Sequence, residues 1–243
     1  MLEKLIAIPH LVVSFMTGHS DLSNPESLTR YQKPPIYAQA SYGNENLSTI
    51  LKQAETLAAT RPHLAIALYR RVMVEGGPLA EKAVERALEI YNKKLQKLSL
   101  KDYDRWELEN ALSFFNEVVK KHPKYVAEAY LKSGEILCDL LFWIPERIPE
   151  AMERLEEAYK RGDNLIKAKA RFKQGWTENL ITGIVDHFWY HEIYPILLNS
   201  YSNVKRAERH LIEVMKLAPQ SEEAKMARNL LEIHGVLQAE KTK

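Results

Sequence analysis

Residues 111–123 read ALSFFNEVVKKHP, and residues 207–219 read AERHLIEVMKLAP. In both, a small residue (Ala111, Ala207) is followed at +4 by a large apolar one (Phe115, Leu211). Another apolar residue follows at +7 (Val118, Val214), and a proline stands at +12 (Pro123, Pro219). The first three positions fall on one face of an α-helix, and the proline stops that helix just past its last turn. Each stop is followed by a new amphipathic stretch, from Val126 to Leu141 and from Ser221 to His234. Recurrence of one buried face and one stop marks a chain built from repeated pairs of helices.

Working outward, the same spacing recurs at Ala65, Tyr69 and Val72, with Gly77-Pro78 as the stop. It recurs again at Ala151, Leu155 and Ala158, with Asp163 in the place of the proline. The expected fold is therefore all-α, an array of antiparallel helical hairpins forming an α-solenoid or α-α superhelix. Helices are expected at 47–60, 63–75, 79–97, 102–121, 124–141, 148–161, 164–185, 187–200, 204–217 and 221–237. Pro62, Gly76-Gly77-Pro78 and Arg161-Gly162-Asp163 supply the breaks. The short connections make neighbouring helices antiparallel.

Composition agrees with this reading. Among 243 residues only 9 are Gly and 11 Pro, leaving little material for Gly-rich phosphate loops or hairpin turns. A net charge of +2 predicts no polyanion partner, and the single cysteine, Cys138, excludes an internal disulfide. Residues 1–46 are expected to form a mostly irregular strap with a short N-terminal helix, residues 47–237 the repeat domain, and residues 238–243 a polar tail. The apolar run Leu5 to Met16 is interrupted by Pro9 and His10 and is too short to span a bilayer. A cytoplasmic chain is expected, or a secreted or periplasmic one if residues 1–20 act as a cleaved signal.

The small–large–apolar face ending in proline resembles the tetratricopeptide repeat family. Tyr130 and Gly134, in Tyr-Leu-Lys-Ser-Gly, match the aromatic-x-x-x-Gly spacing of that family's first helix. The likeness covers about residues 47–236 in degenerate form. Successive copies lie 46, 40 and 56 residues apart where the family period is near 34, and Pro195 stands where the last first-helix would carry glycine. The resemblance implies a protein- or peptide-binding scaffold or adaptor that acts without catalysis, through the concave face of its stacked hairpins. Glu128, Leu131, Glu135 and Asp139 share one face of a first helix and are expected to contact a partner. Trp189, Glu192 and Ile196 do the same in the last unit, and Trp143 stands at the Ile144-Pro145 corner.

Two other readings come from different chemistry. His187 and His191 are one helical turn apart beside Trp189, Tyr190 and Tyr194, so an accessory small-molecule or metal-binding role is the first. Two imidazoles without a third ligand make a weak site, and His210 or His234 would have to complete it. We expect packing rather than a tightly held metal there, and no cofactor. The second is nucleic-acid association through the basic helix at 160–173. Its cations split into Lys167/Arg171 and Lys169/Lys173 on different faces, which suits a solvated helix better than a phosphate-tracking stripe. Catalysis ranks last. Cys138 lies on an apolar helix face with no base or electropositive setting, and no nucleophile–base pair can be read.

Overall fold

The computed structural model describes residues 46–97, 105–139, 145–187 and 200–236, with backbone alone at 94–97, 105–108 and 184–187. Among these residues every regular element is helical. The nine described α-helices are α1 (Leu47–Leu57), α2 (Pro62–Glu75), α3 (Pro78–Lys97), α4 (Arg105–Lys121), α5 (Val126–Asp139), α6 (Ile148–Arg161), α7 (Asn164–His187), α8 (Val204–Leu217) and α9 (Glu222–Ile233). Short 3-10 turns at Pro123–Tyr125 and Pro145–Arg147 lead into α5 and α6. The strap at 1–46, except Asn46, and the tail at 238–243 lie outside the described residues. So does nearly all of the helix expected at 187–200.

Local chemistry accounts for the boundaries. Helices α2, α4, α6 and α8 end two residues before Gly77, Pro123, Asp163 and Pro219, the four stops read in the sequence. Gly76 and Gly77 both sit at φ +79°, where a side chain would be strained, so the backbone reverses there between α2 and α3. At the starts, Asn46, Asn203 and Ser221 each accept a hydrogen bond from a first-turn amide. Asp163 Oδ1 does the same for the amide of Ile166, at 2.8 Å. These caps satisfy amides that have no partner within the helix.

The recurrent face is the core. All twelve residues of the four copies are at most 4 % exposed. On α4, Phe114 and Phe115 pack against Tyr91 of α3, with ring centroids 5.0 and 5.2 Å apart. The main core runs through residues of α1 to α7, and a second cluster joins Ala168 of α7 to Leu211 and Val214 of α8 and to Ala227 and Leu231 of α9.

Each described helix is tied to its neighbour but one as well as to its neighbour. Among the even-numbered helices, Arg70 on α2 bonds Glu117 and Ser113 on α4, Arg154 on α6 bonds Asn116 on α4, and Tyr159 on α6 donates to Glu213 on α8 at 2.6 Å. Among the odd-numbered helices, Lys82 on α3 pairs with Glu55 on α1, Asn92 on α3 donates to Glu128 on α5, and Lys173 on α7 pairs with Asp139 on α5.

Glycine appears where two helices cross closely. A Cβ on Gly134 of α5 would lie 2.8 Å from Leu155 Cγ and 3.2 Å from the Ala151 carbonyl oxygen, both on α6. A Cβ on Gly175 of α7 would lie 3.0 Å from the Ala207 carbonyl oxygen and 3.1 Å from Leu211 Cγ, both on α8. The two glycines thus meet the same two positions of the recurrent face, its first and second residues. The glycine that faces Ala207 is Gly175 on the long helix α7. The sequence pattern puts this position at Pro195, which lies outside the described residues.

Enlarging the small residue at these crossings should overpack them. Ala207→Leu is expected to cost about 1–3 kcal/mol, because Ala207 is 1 % exposed and its backbone already lies against Gly175. Urea unfolding of the variant checks this, and an unchanged midpoint would argue against a tight α7–α8 crossing.

Candidate functional site

A half-open cavity of about 250 Å³ lies on the face shared by α3, α5, α7 and α9. Helical spacing builds it. Lys132, Glu135, Ile136 and Asp139 recur at three- and four-residue steps along α5. Lys169, Phe172 and Lys173 do so on α7, and Glu223 with Met226 on α9.

Two of its ion pairs are closed. Lys132 Nζ lies 2.8 Å from Glu135 Oε2, with both side chains about a fifth exposed. Lys173 pairs with Asp139. Burial opposes the Lys173 ammonium, but Asp139, with Cys138 and Glu135 beside it, holds its pKa above the ordinary lysine value. Lys169 and Glu223 make no ion pair or hydrogen bond among the described residues, and both are only partly exposed. Asn92 donates its amide hydrogen to Glu128 while its Oδ1 is buried without a hydrogen-bond partner.

The sequence-predicted contact residues divide. Glu135 and Asp139 line the cavity. Glu128 stands beside it, held by Asn92 at 3.2 Å. Leu131 corrects the expectation: it is 2 % exposed and belongs to the core, because its helical position turns it between the helices instead of towards solvent. Trp143, Trp189, Glu192 and Ile196 lie outside the described residues. Missed altogether were Asn92, Lys132, Ile136, Phe172, Glu223 and Met226. Phe172 and Met226 carried a signal in their spacing from Lys169 and Glu223, but which helices would meet was not visible locally.

The basic run at 160–173 disperses over several neighbours. Lys160 and Arg161 pair with Glu157. Arg171 stacks 3.7 Å above the Tyr159 ring and lies against Glu156 and Glu213, whereas Lys169 and Lys173 face the cavity. Cys138 is buried, and that burial pushes its thiol up to about 11, so it is a neutral hydrophobe at neutral pH. The side chain of His187 and all of His191 are outside the described residues. Of the two suggested third ligands, His210 Nε2 lies 3.9 Å from Glu178 Oε2 between α7 and α8.

That pair carries a pH signature. Burial, with Arg171 and Arg206 nearby, pushes the His210 imidazole down to about 4. Burial also raises the Glu178 carboxyl above its usual range, against the opposing charge of Arg206. His210 in the unfolded chain takes a proton near pH 6.5, while the native imidazole stays neutral until about 4. The unfolded state therefore binds more protons between these values, and stability falls as pH drops through that window. Between pH 7 and pH 4 the native protein should lose about 2–3 kcal/mol more stability than a His210→Gln variant, in which Glu178 still titrates. Parallel urea titrations at both pH values check it, and identical losses would refute it.

Compared with protein-family models, with curated proteins and with solved structures, the chain matches none. Among the described residues no helix is long and apolar enough to cross a membrane.

Proposed function

We propose that the chain is a tetratricopeptide-like array of helical hairpins that binds a peptide segment of another protein and does no chemistry on it. Four buried copies of one face, and glycines meeting the same two positions of that face in two helix pairs, support the repeat reading. Ties between next-but-one helices support stacking, since an array of hairpins brings alternate helices side by side in two layers. In such an array one layer lines an extended groove, and side chains from successive helices recognise a partner along it.

The observation that carries the binding reading is the cavity itself. It lies on α3, α5, α7 and α9, the layer that would line the groove, and it combines charged side chains with an apolar patch from Phe172 and Met226. Solvated charge beside exposed apolar surface is what a peptide can exploit through both pairing and burial.

A displayed library of random dodecapeptides tests this. Immobilised protein should retain specific peptides, and Met226→Arg should weaken them about tenfold or more by placing a charge in the apolar patch. Met226 is 46 % exposed, so the variant should fold as the parent does. A library that yields no binder, or binders indifferent to Met226→Arg, overturns the proposal.

A further inference from the structure

We infer that the cavity takes a peptide segment of mixed charge, with one acidic, one basic and one apolar side chain within a short stretch. This rests on the peptide-binding reading and specifies its partner. Six charged side chains line the cavity, and four of them neutralise one another as Lys132–Glu135 and Lys173–Asp139. The remaining two are Lys169 on α7 and Glu223 in the first turn of α9. Both are partly buried, and they do not close on each other or on any other described charge within 4.0 Å.

The arrangement selects by sign. A wholly acidic segment would pair with Lys169 and be repelled by Glu223, and a wholly basic one would meet the reverse. A segment bearing both signs satisfies both, and its other charges find the lining already neutral. Like-charge juxtaposition is what discriminates among partners of similar shape. Along the same lining, Phe172 lies three residues from Lys169 on α7, and Met226 three residues from Glu223 on α9. Each charge is thereby flanked on its own helix face by an apolar side chain, which gives an uncharged residue of the segment a place to rest.

The same random dodecapeptide library provides the test, screened against the parent and two charge-reversed variants. The parent should enrich peptides containing both an acidic and a basic residue. Lys169→Glu leaves two unpaired acids and should shift enrichment to basic peptides, whereas Glu223→Lys should shift it to acidic ones. A peptide selected on the parent should bind Lys169→Glu about tenfold more weakly, and changing its acidic residue to Lys should restore affinity for that variant. Retention of the helical circular dichroism spectrum establishes that each variant is folded. Binders that are neutral or of one sign, or an unchanged charge preference in both variants, overturn this inference while leaving the groove as a peptide site. Absence of any binder, or binders insensitive to Met226→Arg, removes the peptide-binding reading and the inference with it.

Discussion

Phe115→Ala should destabilise the protein by about 3–5 kcal/mol, the largest single effect expected from a side-chain truncation here. Phe115 is fully buried, and its ring contacts both Tyr91 of α3 and the adjacent Phe114. Removing it takes away the transfer free energy of an aromatic ring and leaves a void between α3 and α4 that rigid helices cannot collapse to fill. Phe115→Leu preserves more of the volume and should cost less than about 1.5 kcal/mol. Urea-induced unfolding followed by helical ellipticity measures both. Equal midpoints for Phe115→Ala and the parent would mean that the α3–α4 interface does not hold the fold together.

The second large effect concerns the crossings. Gly134→Leu and Gly175→Leu should each cost about 3 kcal/mol, because the added side chain meets Leu155 and a carbonyl oxygen in one case and the Ala207 backbone in the other. A helix-interior glycine is otherwise unfavourable by up to about 1 kcal/mol relative to alanine, so its presence at these points reflects the space and not the local conformation. Gly183 on α7 is the control. A Cβ there meets nothing within 4 Å, and Gly183→Ala should stabilise by about 0.5–1 kcal/mol. Opposite signs at Gly175 and Gly183, two glycines of one helix, would separate close approach from helix propensity. Stabilisation by Gly175→Leu would count against the α7–α8 contact.

The helices themselves were legible because their determinants are local. The faces Ala111–Phe115–Val118 and Ala207–Leu211–Val214 declare themselves at three- and four-residue steps, and Pro123, Pro219 and Gly77 mark their ends. Gly134 was also readable, since Tyr130 stands four residues before it. Gly175 was not, because Arg171 occupies the matching aromatic position. Arg171 instead lies over the Tyr159 ring of α6, 3.7 Å from its centroid, so the aromatic surface is supplied from another helix. Only a small part of the candidate site was visible. Glu135 and Asp139 were found from their shared face on α5, while Leu131 was misplaced because a stripe drawn along one helix cannot show where burial by the neighbours begins.

By itself, then, the sequence determined the helical class, the positions of the stops and the buried faces of α2, α4, α6 and α8, all of which follow from interactions spanning a few residues. Only the tertiary structure decided which charges remain available. Lys169 and Lys173 are four residues apart and chemically alike, yet Lys173 meets Asp139, 34 residues away on α5, and Lys169 meets no described counterion. Glu223 and Met226 join the same cavity only because α9 packs against α7. Pairing across such separations depends on how helices stack, and the free energy that sets the stacking is spread over many buried contacts, none of them encoded in the local pattern of charge.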